Sequence, residues 1–189
     1  MAGLKGISRR GFAFVALALV ALAGSFGVTA IASAGHLVEA ASGRYAGRDW
    51  RFIVVGRHGE RCSSLSISER TGGSESTVCG ADETVHRPWG EGFGDSARND
   101  ASTISVNFTA PRVFALRLLI GHPGPHPHAP TWRYLHTRAL TEEQMAEAGL
   151  DGRFRFVVLT GIGNLCVEKV RAFDVDGHRL ASFNHPCEY

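Results

Sequence analysis

The segment Val167-Glu-Lys-Val-Arg-Ala-Phe-Asp-Val-Asp-Gly-His-Arg-Leu-Ala-Ser-Phe183 contains two runs of alternating apolar and polar residues around an Asp-Gly pair. Alternation with a period of two is typical of a β-strand that is buried on one face. Asp176-Gly177 is a strong hairpin signal because both central positions of a two-residue turn need positive φ. The segment therefore predicts two antiparallel strands, Val167–Val175 and Arg179–Phe183.

The same strand pattern recurs along most of the remaining chain. The other predicted strands are Trp50–Gly56, Leu65–Ser68, Thr103–Phe108, Val113–Ile120, Thr131–Thr137 and Phe154–Thr160. Short strands separated by Gly-, Pro- and Asp-rich turns favour an all-β fold, an immunoglobulin-like antiparallel β-sandwich of about seven to nine strands. Residues 49–189 are the predicted sandwich domain.

One short helix is expected within the sandwich. Thr141 can cap it, and Gln144 three residues later completes a capping box. The negative charges of Glu142 and Glu143 are favourable near the N-terminus, where the helix dipole is positive. Gly149 is expected to terminate the helix.

The first 34 residues have the three parts of a secretory signal. Lys5, Arg9 and Arg10 precede an uncharged apolar run, which ends in the small-residue pattern Ala32-Ser33-Ala34. We expect a signal or apolar helix over residues 1–34, cleavage after Ala34, and a linker over residues 35–48. The domain is accordingly expected to be extracytoplasmic, either secreted or tethered to the outer face of the cytoplasmic membrane.

The route of export and the fate of the apolar run have two interpretations each. Ser8-Arg9-Arg10-Gly11-Phe12 resembles the twin-arginine motif, although Ala13 and Phe14 depart from it. The alternative is an ordinary signal with two arginines in its basic end. An uncleaved anchor is also open, because the apolar run is about long enough to span a bilayer. If the segment is not cleaved, membrane contact is expected through it alone.

Charge gives no sign of a nucleic-acid partner. The whole chain carries 20 basic and 18 acidic residues, but three of the basic residues lie within the predicted signal. Its removal leaves a charge of about −1, which provides no basic footprint for nucleic acid.

The cysteines are Cys62, Cys79, Cys166 and Cys187. An even number in an exported chain indicates disulfides, and three connectivities are possible. We expect Cys62–Cys79 and Cys166–Cys187, because each pair brackets a short segment. A zinc–thiolate site would need closely spaced cysteine pairs, which are missing here.

A histidine- and proline-rich stretch is the first candidate ligand site. His122, His126 and His128 could bind zinc, copper or nickel, since imidazole is a common ligand for these metals. The other interpretation is a stiff solvated loop of polyproline II character. Asp174–Gly177 looks like part of a calcium loop, but its place between two strands favours a turn.

A second candidate follows the first predicted strand of the domain. Arg57-His58-Gly59-Glu60 resembles the signature of the histidine phosphatases. The resemblance implies a nucleophilic role for His58 and a phosphate-binding role for Arg57. That family is α/β, whereas residues 62–108 contain no amphipathic helix, so a polar hairpin turn is the alternative.

The function that these observations favour is binding rather than catalysis, because no complete catalytic set is found. Gly80–Ala101 is a long polar loop with Trp89 and Phe93 as its large apolar residues. Long loops at the ends of a sandwich often carry recognition surfaces. We expect Trp89 and Phe93 to bind a protein or a ligand of the cell envelope, with no cofactor.

The pattern of the mature chain also resembles uncharacterised exported β-sandwich proteins of actinobacteria. The resemblance rests on the strand opening at Trp50, on the cysteines at 62 and 79, and on the closing hairpin Val170–Leu180. It implies a fold and a compartment but no activity.

Overall fold

A computed structural model of the chain describes residues 36–69, 72–90, 92–96, 102–122, 128–163 and 165–184. Within these ranges the chain forms eleven strands and one helix, which confirms the all-β class. The elements are β1 (Val38–Tyr45), β2 (Arg48–Arg57), β3 (Glu60–Glu69), β4 (Gly72–Ala81), β5 (Gly92–Ser96), β6 (Thr103–Thr109), β7 (Ala115–His122), β8 (His128–His136), α1 (Glu142–Ala148), β9 (Arg155–Gly161), β10 (Cys166–Phe173) and β11 (Arg179–Asn184).

The predicted signal at Met1–Ala34, including Ser8–Phe12, lies outside the described residues. Among the described residues, none of the helical structure is long and apolar enough to cross a membrane.

The strands form three antiparallel sheets. Sheet I has the order β1-β2-β3-β4, sheet II the order β5-β6-β9, and sheet III the order β11-β10-β7-β8. Sheet I is a meander of consecutive strands, because each strand is paired with its neighbour in sequence. This arrangement is a β-sandwich, and it does not show the immunoglobulin-like strand order.

Two apolar cores hold the sheets together, and sheet II contributes to both. The first core joins side chains of sheets I and II, including Phe52, Leu65 and Val106. The second core joins sheet II to sheet III, including Leu118 and Val170. Sheet II is therefore a middle layer with both faces covered.

Strand β9 shows how the sequence allows this. Phe156 and Val158 pack in the first core, whereas Val157 and Leu159 pack in the second. Successive side chains of a strand point to opposite faces, so a strand buried on both sides must be apolar at nearly every position. The run Phe156-Val-Val-Leu159 satisfies that requirement.

Helix α1 has the ends that the sequence predicts. The Thr141 side chain accepts a hydrogen bond from the backbone N–H of Gln144, and the Gln144 side chain accepts one from the backbone N–H of Thr141. Gly149 ends the helix in the left-handed conformation, with φ of 68°. Ala148 is buried in the first core, which fixes the helix against sheet I.

Three strands, β1, β4 and β5, were not predicted from the sequence. The predicted linker at residues 35–48 contains β1, which pairs with β2 and buries Val38 and Ala41 in the first core. The predicted loop Gly80–Ala101 contains the end of β4 and all of β5. These strands are rich in small and polar residues, which give little apolar alternation, and each forms because it pairs with an adjacent strand of its own sheet.

Candidate binding surface on sheet III

The outward face of sheet III exposes a row of aromatic side chains on β8. Trp132, Tyr134 and His136 occupy alternate positions and so share one face of the strand. Residues Trp132 and Tyr134 are 36% and 56% exposed. The Tyr134 ring lies 5.2 Å from the His136 ring and 6.4 Å from the ring of Phe173 on β10.

The register of the sheet places basic residues beside this row. Arg117 on β7 is paired with Tyr134 on one side and with Arg171 of β10 on the other. Lys169 is two positions before Arg171 and is paired with Leu119, the neighbour of Trp132. Residues directly opposed across an antiparallel pair share a face, so these cations adjoin the aromatic row.

Two guanidinium groups stack on one indole ring. The Cζ atom of Arg117 lies 4.9 Å from the centre of the Trp132 ring, and that of Arg171 lies 4.6 Å from it. Neither guanidinium forms an ion pair with a described residue, and the Nε atom of Arg171 is buried without a hydrogen-bond partner. A stacked guanidinium offers its N–H edge to a carboxylate or phosphate.

Acidic side chains are missing from the outward positions of β7, β8 and β10 that the structure describes. Glu168 of β10 lies in the bulge between Val167 and Lys169 and already has a partner. We name the face formed by Arg117, Trp132, Tyr134, Lys169 and Arg171 the arginine–aromatic face. It combines a local positive charge with aromatic rings, and arginine, tyrosine and tryptophan are residue types that dominate binding energy at interfaces.

A second charged group lies inside the molecule, where β3 meets the segment after β4. Arg61 Nη1 is 3.9 Å from Asp82 Oδ1, and both side chains are largely buried. Burial lowers the pKa of the Arg61 guanidinium, and the nearby carboxylate of Asp82 opposes this shift. The guanidinium also lies over the rings of Phe108 and Phe154. This ion pair has a structural role, because it joins β3 to the segment that follows β4.

The structure confirms the disulfide Cys62–Cys79, which joins directly opposed residues of β3 and β4. Cys166 is also disulfide-bonded, and Cys187, its expected partner, lies outside the described residues.

The histidine stretch is described only at its ends. The backbones of His122 and His128 are opposed in the register of β7 and β8. His126 lies outside the described residues, so metal binding here stays a prediction.

Asp174, Asp176 and His178 place potential ligand atoms within 4.8 Å of one another. Asp174 Oδ1 accepts hydrogen bonds from the backbone N–H groups of Asp176 and His178, so this segment is a turn between β10 and β11. Asp174 N–H donates to the carbonyl oxygen of His178, and among the three residues between them only Gly177 has positive φ, so the predicted two-residue turn at Asp176-Gly177 is wrong.

His58 and Gly59 form the turn between β2 and β3, with φ of 49° and 80°. Positive φ at both positions is typical of a tight hairpin, so the turn interpretation of Arg57–Glu60 is confirmed. His58 is exposed, and its side chain has no hydrogen bond, ion pair or ring contact with another described residue.

The two aromatic residues expected to bind a partner occupy different environments. Phe93 is a core residue, because it is buried and its ring lies 6.1 Å from Phe52 and 6.0 Å from Phe108. The expectation of an exposed Phe93 is therefore corrected, since β5 directs this side chain into the first core. Trp89 is half-buried against the second core, and it lines a cleft of about 560 Å³ with Arg87 and Asn107.

The sequence analysis predicted β8 as a strand but did not identify its outward side chains as a site. The alternation Trp132-Arg-Tyr-Leu-His136 is visible in the sequence, and so is that of Lys169-Val-Arg-Ala-Phe173. Only the strand order shows that these segments lie on either side of β7.

No known family model matches the chain, and neither the curated proteins nor the solved structures give a significant match.

Proposed function

We propose that the chain is an exported, non-enzymatic binding module whose arginine–aromatic face recognises an acidic glycan of the cell envelope. The observation that carries the proposal is the stacking of Arg117 and Arg171 on Trp132, with no carboxylate partner for either guanidinium among the described residues. Export rests on the signal pattern of Met1–Ala34, and the disulfide Cys62–Cys79 is consistent with an oxidising compartment.

The chemistry of the face favours a glycan that carries carboxylate groups. Guanidinium edges pair with carboxylates in a bidentate manner, and the exposed ring of Tyr134 offers a flat apolar surface to a sugar ring. The cations of this face attract a negatively charged partner. A second copy of the chain is disfavoured as the partner, because it would bring the same cations into contact.

We also propose that the domain is an immunoglobulin-like sandwich similar to exported β-sandwich proteins of actinobacteria. In such sandwiches a rigid double layer presents a surface or loops for recognition. Metal binding by His122, His126 and His128 stays a separate sequence-based prediction.

The experiment compares binding of alginate, a polyuronate, with binding of neutral dextran to the folded domain. We expect alginate to bind and dextran not to bind. The double substitution Arg117→Gln and Arg171→Gln should weaken alginate binding by about tenfold or more, as expected for the loss of charge-assisted hydrogen bonds. Raising the salt concentration should weaken it as well, because exposed charges are screened.

The control is Arg112→Gln, which removes an exposed arginine from the turn before β7. It should leave alginate binding unchanged. Equal binding of alginate and dextran, or an unaffected double variant, would contradict the proposal. Tighter binding of duplex DNA than of alginate at equal salt would overturn the assignment to a glycan.

A further inference from the structure

A cleft of about 650 Å³ lies beside α1, on the side where the chain runs from the helix into β9. Its apolar wall includes Leu140, Met145, Leu150 and Phe154. Three of these residues belong to the first core and Met145 packs against it, so the wall is fixed by the fold. The volume is within the range of sites that hold small molecules.

Arg155 adds a positive charge to this cleft. Its guanidinium lies 4.1 Å from the centre of the Phe114 ring, and its Nε and Nη2 atoms donate to Oγ1 and the carbonyl oxygen of Thr137. These contacts hold the group in one orientation. Burial lowers the pKa of the Arg155 guanidinium.

No described carboxylate forms an ion pair with Arg155. Glu142 and Asp151 line the same cleft, but neither lies within ion-pair distance of its guanidinium. Arg153 also lines the cleft, and its side chain likewise forms no ion pair with a described residue. The cleft thus combines an apolar wall with a fixed guanidinium that forms no ion pair with a described residue.

We propose that this cleft binds a small amphipathic carboxylate, with its carboxylate group at Arg155 and its apolar part against Leu140 and Met145. This site is separate from the arginine–aromatic face and does not depend on the function proposed for it. A bound carboxylate would use the remaining N–H groups of Arg155 and replace part of the hydration that burial removes.

The test uses 4-(4-fluorophenyl)butyrate and its neutral amide as matched probes, followed by fluorine NMR with the folded domain. The acid should bind at least about tenfold more tightly than the amide, because the amide cannot form a charge-assisted pair. Met145→Trp should reduce binding of the acid at least about tenfold by filling the apolar wall. Arg153→Gln should cause a smaller loss, since its side chain is exposed.

Arg155→Gln should abolish the preference for the acid over the amide. Arg155 also forms hydrogen bonds with Thr137, so folding of the Arg155→Gln variant is checked by circular dichroism. If this variant does not fold, Met145→Trp provides the test. Arg179→Gln, which removes an exposed arginine at the start of β11, should leave binding unchanged. Equal binding of acid and amide, failure of both to bind, or unaltered binding by folded Met145→Trp protein would overturn the proposal.

Discussion

Asp82 connects three parts of the chain through its carboxylate and its backbone N–H group. Its Oδ1 atom faces Arg61 of β3 at 3.9 Å, and its Oδ2 atom accepts a hydrogen bond of 2.6 Å from the backbone N–H of Asp151. Its own backbone N–H donates to the carbonyl oxygen of Gly59. The turn after β2, the strand β3 and the segment after α1 are thereby fixed to one residue.

Asp82→Ala is expected to lower the free energy of unfolding by about 3–5 kcal/mol. The substitution leaves the Arg61 guanidinium buried over Phe108 and Phe154 without a counter-charge. Urea unfolding measured by circular dichroism checks this value.

The matched control is Asp49→Ala, which removes the partner of Arg44 from an ion pair in which both side chains are 68% exposed. Exposed ion pairs contribute little, so the midpoint should hardly move. A loss at Asp82 no larger than the loss at Asp49 would contradict the role of the buried pair.

At the scale of elements, helix α1 rests on a glycine of sheet I. A Cβ atom added at Gly56 of β2 would overlap the backbone of Gly149, the residue that ends the helix. The helix end can approach the strand closely only because Gly56 has no side chain.

Gly56→Ala should therefore destabilise the protein by about 1–3 kcal/mol, the usual cost of overpacking a well-packed contact. Thermal unfolding of the purified domain measures the effect. Gly80→Ala is the control, because a Cβ atom at Gly80 meets no atom within 4 Å. The prediction is wrong if both substitutions shift the unfolding temperature equally.

Local signals explain which elements could be predicted from the sequence. The capping residues Thr141 and Gln144 and the terminator Gly149 act on their immediate neighbours, so the helix could be located from the sequence. Strands with regular apolar alternation were likewise predictable, including β6, β8 and β10.

Strand β4 illustrates what could not be predicted. Gly72–Ala81 consists mainly of glycine, serine and other polar residues, and its single large apolar side chain, Val78, is exposed. Its pairing comes from β3, and the opposed cysteines 62 and 79 lie within that pair. The predicted disulfide was therefore the one sequence signal that pointed to this strand.

At the scale of the whole molecule, the arginine–aromatic face exists because of strand order. Arg117, Trp132 and Arg171 belong to three strands that meet only in sheet III. Each strand could be predicted from its own pattern. Strand β7 pairs with β8, the next strand along the chain, and on its opposite edge with β10, which is separated from β8 in sequence by α1 and by β9 of sheet II. Long-range pairing of this kind leaves no local signal, so the face could not be recognised from the sequence.

Strand order also determines how the domain should unfold. Adjacent residues of β9 fill different cores, since Phe156 packs in the first core and Val157 in the second. If either core opens, one face of β9 becomes exposed to solvent, and the opposite face of the same strand belongs to the other core. We therefore expect a single cooperative unfolding transition for both cores.

Phe156→Ala should lower the free energy of unfolding by about 3–5 kcal/mol, and Val157→Ala should lower it less because fewer buried atoms are removed. Two single-tryptophan variants report on the two sides: one keeps Trp50, which is in the first core, and the other keeps Trp132 on sheet III. In urea, each alanine substitution should shift the fluorescence midpoints of both tryptophans by the same amount, because the shared middle sheet couples the cores. A shift that Val157→Ala produces at Trp132 but not at Trp50 would show that the cores unfold separately, and sheet II would then not act as a common layer.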